Sequence, residues 1–258
     1  MNALLTTLRY VLITAIRDRM VAAIVIAQAA VLGGALLTAA SALVEGRATG
    51  LAMAGEGFRI VMMLGLITFI SFHVRRMEET REIEAILTRP ISRATFVLAY
   101  YAAYAGIGVL LSLCAAPMLI AGLAAGGAGL AEWQASLALE CLIVVAIALF
   151  CALSLGSATA SVLAGIGLYL FARLAAFFRA IAESHTGLST YDSVDHVTTW
   201  IIKAIAAAVP RLDLFGQGQW LVYGPGGGWG LPELLLQTAI IVPLLLAATI
   251  RDMHVKRY

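Results

Sequence analysis

Six stretches of this chain run for about 20 residues with few charges, and that succession limits the fold more than any motif does. A helix of that length crosses the hydrocarbon layer of a bilayer. Lipid offers no partner for exposed backbone groups, so a spanning segment must satisfy its own. Hydrophobic residues make up 62% of the sequence and charged residues 12%, against roughly 45–50% and about 25% in soluble domains. A soluble core has no use for that excess. The expected fold is an all-α integral membrane protein, a single transmembrane domain over residues 1–258.

Residues 1–19 come before the first span, with Leu4, Leu5, Leu8, Val11, Leu12, Ala15 and Ile16 at helical spacing and Arg9, Arg17 and Arg19 set apart from them. That pattern suits a helix lying in the membrane interface. The spans are then expected at about 21–44, 58–74, 94–121, 135–155, 158–180 and 231–250, with a polar external segment at 181–230. A short loop holding Glu45, Arg47 and Glu56 separates the first two spans, and a Gly- and Ala-rich loop ending at Glu132 and Trp133 precedes the fourth. The second span ends in the densest charge cluster of the chain, Arg75 to Glu84. There Arg75 is spaced to reach Glu79, and Glu78 to reach Arg81, which supports a helix. Pro90 disfavours the helical region for Arg89, so that helix should stop there, and Ser92 is placed to cap the next. The first long apolar run reads as a retained anchor, because further spans follow it in place of a polar mature chain.

Six crossings put both termini and the 75–93 loop on one side, together with Arg9, Arg17, Arg19, Arg75, Arg76, Arg81, Arg89, Arg93, Arg251, Lys256 and Arg257. Basic residues near span ends mark the cytoplasmic side. Both termini are therefore expected in the cytoplasm, with the 181–230 segment outside a bacterial plasma (inner) membrane. The formal net charge of +2 is too small to suggest nucleic acid, and no basic run alternates with aromatics. The three cysteines, Cys114, Cys141 and Cys151, fall inside apolar stretches and read as small buried hydrophobes.

Charged side chains inside spans are costly enough to be treated as functional candidates. Glu140 in the fourth span and Arg173 in the fifth are expected at similar depth on adjacent helices, as an intramembrane polar pair. Two readings stand side by side: a buried ion pair that fixes helix register, or a polar lining of a substrate path. His185, Asp192, Asp195 and His196 cluster in the external segment but match no tight metal template, so a solvated loop is expected there and no metal. The sequence contains no Walker-type phosphate loop. Energy for any driven process would have to come from a partner or an ion gradient.

The interfacial amino-terminal helix, the six spans and the charged helix between the second and third resemble the membrane subunits of ABC transporters of the type-2 exporter class. The most specific stretch is Glu79-Thr80-Arg81-Glu82-Ile83-Glu84-Ala85-Ile86-Leu87-Thr88-Arg89-Pro90-Ile91-Ser92-Arg93. It is similar to the family's acidic helix running into a Leu-rich turn and then Pro-Ile-Ser-Arg. Pro210-Arg211-Leu212-Asp213-Leu214-Phe215 is a second point of likeness. The family often carries Gly-Thr within the acidic helix, where this chain has Arg81-Glu82. The resemblance implies a permease subunit, itself no enzyme and without cofactor, that pairs with a second permease copy as a homo- or heterodimer. A separate P-loop ATPase subunit would bind ATP and Mg and drive it. It further implies that Glu78, Glu79, Glu82, Glu84, Arg89 and Arg93 couple to that ATPase through a cytoplasmic coupling helix, and that the cargo is a lipid, a glycan or a small hydrophobic compound. The alternative is a membrane scaffold or assembly factor for a periplasmic metalloenzyme.

Overall fold

The computed structural model describes residues 18–80, 92–177, 180, 210–224 and 230–255. Within them the regular elements are all helical. In chain order they are α1 (Arg19–Ser41), α2 (Gly46–Glu79), α3 (Arg93–Leu123), α4 (Gly127–Ser154), α5 (Ala158–Arg173), a 3-10 turn (Leu212–Phe215), α6 (Gln219–Tyr223) and α7 (Leu231–Val255). Among the described residues, α1, α2, α3, α4 and α7 are long and apolar enough to cross a membrane, while α5 has 16 residues. Large apolar side chains such as Ile26, Leu37, Leu163 and Leu244 point outward, whereas Gln28, Arg59, Ser136 and Glu140 are buried. That distribution is the reverse of a water-soluble protein's. The chain is a multi-span helical membrane protein.

α4 forms the centre. Its apolar stretch is 78% buried, against 17% for α1 at the periphery, and it packs against α2, α3, α5 and α7. Small residues let the helices approach, as is usual where lipid removes the hydrophobic drive for association. A methyl group at Gly65 of α2 would meet Ile24 of α1 at 2.7 Å, and one at Gly165 of α5 would meet Ile67 of α2 at the same distance. Asp18 caps α1 by accepting from the Met20 amide at 2.9 Å. Ser92 caps α3 by accepting from the Thr95 amide at 3.1 Å, as its position before the helix predicts.

Two helices begin earlier than the charge pattern suggests. α2 starts at Gly46, so Arg47 and Glu56 belong to the helix and not to a loop. Arg47 can be helical because its guanidinium donates to the carbonyls of Leu123 (3.2 Å) and Ala124 (2.6 Å). There a cation meets the negative end of the α3 dipole. α4 starts at Gly127, so Glu132 and Trp133 also lie in helix. α7 continues past residue 250 to Val255.

The helix ends sort into two groups. At one, α2 runs out through Arg75 and Arg76, α3 begins at Arg93, and the Arg93 guanidinium donates to the Met253 carbonyl of α7. At the other, Arg47 closes the end of α3, the 3-10 turn packs against α4 and α5, and α6 packs against α4 and α2. Gly129 of α4 has no room for a side chain there, since a Cβ would lie 2.0 Å from the Trp220 carbonyl oxygen.

Candidate functional site: a buried chain of alternating charge

Helical spacing assembles the site. α2 offers Glu56 and Arg59 three positions apart, α4 offers Trp133, Ser136 and Glu140 at steps of three and four, and α5 offers Tyr169 and Arg173 four apart. Each set therefore shares one helix face. The three faces meet near the end of the bundle that carries the 3-10 turn.

At the inner limit, the Arg59 guanidinium donates through Nη1 to Glu140 Oε2 and through Nη2 to Ser136 Oγ at 3.0 Å. Both ionised side chains are 0% exposed. The Arg59 Cζ lies 5.7 Å from the centroid of the Trp133 ring, within cation–π range. The Ser136 hydroxyl donates in turn to the Trp133 carbonyl at 2.8 Å. Nearer the surface, Arg173 Nη1 donates to Glu140 Oε1 at 3.4 Å and to the Leu212 carbonyl at 3.4 Å. Its Nη2 donates to Glu56 Oε2. The order is Glu56, Arg173, Glu140, Arg59, alternating in sign. Exposure falls along it from 37% at Glu56 to 20% at Arg173 and to nothing at the last two.

Such a chain limits the cost of burying four ions, because each interior charge faces at least one opposite charge. The satisfaction is incomplete on the donor side. Arg59 Nε, Trp133 Nε1 and the Tyr169 hydroxyl are buried and have no hydrogen-bond partner among the described residues. The 3-10 turn and the residues after it cover the exposed end. A Cβ at Gly216 would lie 2.6 Å from Arg173 Nη2, and one at Gly218 would lie 3.0 Å from Glu56 Oε1.

No protein-family model matches this chain, and no curated protein is similar to it.

Glu140 and Arg173, the two charges expected at one depth from the sequence, thus lie within 3.4 Å of each other. Arg59, Glu56, Ser136, Trp133 and Tyr169 join them, and sequence reasoning missed these five. With the second span expected from about 58, Arg59 stands at its very edge and Glu56 in the loop before it. The signal that finds them is the apolar run from Leu51 to Ala54, which shows that apolar helix continues on the amino-terminal side of both charges.

Of the residues that the resemblance ties to coupling, Glu78, Glu79 and Arg93 lie at the opposite, basic end. Glu78 accepts from Arg75 at 2.9 Å and Glu79 from the same guanidinium at 3.2 Å. Arg93 is tied to the end of α7 through Met253. Glu82, Glu84 and Arg89 lie outside the described residues, as do the interfacial helix up to residue 17 and the His185, Asp192, Asp195 and His196 cluster. Next to this basic end, between α2 and α3, His73 Nδ1 and the Tyr104 hydroxyl are 3.3 Å apart beside Phe69, within an aromatic cluster that continues to Tyr100 and Phe96. This buried group packs the two helices together at the point where α2 leaves the apolar core.

Proposed function

We propose that the chain is the membrane-spanning permease subunit of an ATP-driven ABC transporter of the type-2 exporter class. It works with a second permease copy and a separate P-loop ATPase that binds ATP and Mg, and it exports a lipid, a glycan or a small hydrophobic compound from a bacterial plasma membrane. The observation that carries this reading is the course of α2. In one uninterrupted helix of 34 residues it links the buried charges at Glu56 and Arg59 to the Arg75, Glu78 and Glu79 cluster at its other end. At 1.5 Å per residue it is about 50 Å long, well beyond the roughly 30 Å of a hydrocarbon core. A rigid element of that kind suits transmission of force from a cytoplasmic motor to a site across the membrane.

Six crossings fit this reading, with α5 as the short one. Ser161 of α5 donates to the Cys151 carbonyl near the end of α4, and Arg173 at the far end of α5 reaches Glu56 and Leu212. α7 then returns to the basic end, where Met253 meets Arg93. Basic residues at that end favour the cytoplasm for it and for both termini.

Mild-detergent extraction of the tagged chain from its native membrane, with mass spectrometry of what co-purifies, tests the proposal. A stoichiometric P-loop ATPase is the expected result. Its absence under conditions that preserve other membrane complexes would count against the transporter reading. Exchanging Glu79→Lys together with Glu82→Lys should then abolish transport while leaving membrane insertion at the wild-type level. Unchanged transport would remove the coupling role.

A further inference from the structure

The charge chain ends at its exposed limit in a half-buried carboxylate, Glu56. Glu56 is 37% exposed and among the described residues is held by one guanidinium, that of Arg173, whereas Glu140 behind it is fully enclosed between Arg59 and Arg173. With Glu56 turned into solvent, two arginines would face one carboxylate, and the site would carry one excess positive charge. Among the described residues, the buried Tyr169 hydroxyl, near enough to Arg173 and Glu56 to feel both charges, has no hydrogen-bond partner. Buried donors left unmade cost free energy, and an incoming acceptor recovers it. An unmade donor together with an excess positive charge selects for an anion, and a planar guanidinium is well shaped for a carboxylate or phosphate oxygen pair.

We infer that Arg173, with the Tyr169 hydroxyl beside it, is a binding site for a singly charged oxyanion, a carboxylate or a phosphodiester, which exchanges with Glu56. Glu56 is then a built-in competitor that occupies Arg173 until the ligand arrives. The site depends on the transporter proposal only for the use to which the bound molecule is put. Binding is measured on the chain alone, so its failure leaves that proposal standing, and failure to find an ATPase leaves this one standing.

The test uses the full chain in neutral detergent and native mass spectrometry, with dioleoylphosphatidylglycerol as the anionic probe and dioleoylglycerol as the uncharged control. The wild type should retain the anionic lipid in preference to the control. Glu56→Gln should tighten that binding by about tenfold, since it removes a competitor for a charged hydrogen bond. Arg173→Gln should reduce it to the level of the control. Should E56Q not remain monodisperse, Gly218→Ala carries the same test, because its methyl would press on the Glu56 carboxylate from 3.0 Å. Displacement of the lipid by inorganic phosphate would identify a free anion as a sufficient ligand, and persistence of the lipid would identify a lipid-borne headgroup. Either result supports the site. Equal binding of the anionic lipid by wild type, E56Q (or G218A) and R173Q would overturn it, as would a wild type that does not discriminate between the two lipids.

Discussion

Glu140 accepts from both arginines of the buried chain, and its position makes it the residue whose loss the bundle tolerates least. Glu140→Gln keeps the shape but leaves Arg59, 0% exposed, without an opposite charge. Breaking a buried pair from one side costs about 3–5 kcal/mol. In a chain of this size that is a fall in Tm on the order of 10 °C. The buried thiols of Cys141 and Cys151 allow the measurement, since a thiol-reactive dye reports their exposure on heating above the baseline set by exposed Cys114. The charge-free double variant R59M/E140L should recover most of the loss, because replacing a buried pair with apolar residues of similar volume is often neutral. If E140Q unfolds at the wild-type temperature, the pair does not hold the helices together.

For the elements, glycine positions in α4 and the segment over it argue for a fixed cover and not a loose loop. Gly129→Ala would drive a methyl into the Trp220 carbonyl, and no flexible side chain is there to give way. The expected result is faster amide hydrogen exchange across 212–223 with exchange in α3 unchanged. Equal protection in both would show that α4 shifts to accept the methyl. Five of the six expected spans were legible, because a long apolar run has few alternatives once lipid is the solvent. Ser92 as a cap and the Arg75–Glu79 spacing were legible because both are local. The starts of α2 and α4 were not. Arg47, Glu56 and Glu132 read as loop markers when charge is taken to mean water, yet Arg47 is satisfied by the end of α3 and Glu56 by Arg173, both far away in sequence. For the same reason half of the charge chain was visible. Glu140 and Arg173 interrupt apolar runs and announce themselves, while Arg59 and Glu56 stand beside the expected boundary of a span and borrow its explanation.

At the scale of the whole molecule, the two ends of the bundle must face different compartments for the charge chain and the basic cluster to serve the proposed transport. One end carries Arg75, Arg76, Arg93 and Arg251, the other the 3-10 turn, α6 and the exposed limit of the charge chain. If α5 crosses, α7 arrives at the basic end, where Arg93 meets Met253. Were α5 to turn back within the layer, the contact of Arg173 with Glu56 and Leu212 at the opposite end would have to be given up. Surface cysteines in a background lacking Cys114, Cys141 and Cys151 decide the matter. Gln219 and Arg76 are both exposed and lie at opposite ends. A membrane-impermeant maleimide should label Gln219→Cys in intact cells and Arg76→Cys only after the membrane is opened. The reverse pattern would place the basic end outside and leave an ATPase nothing to grip. Labelling of both from one side would mean that α2 does not cross, and the proposed coupling along it would fail.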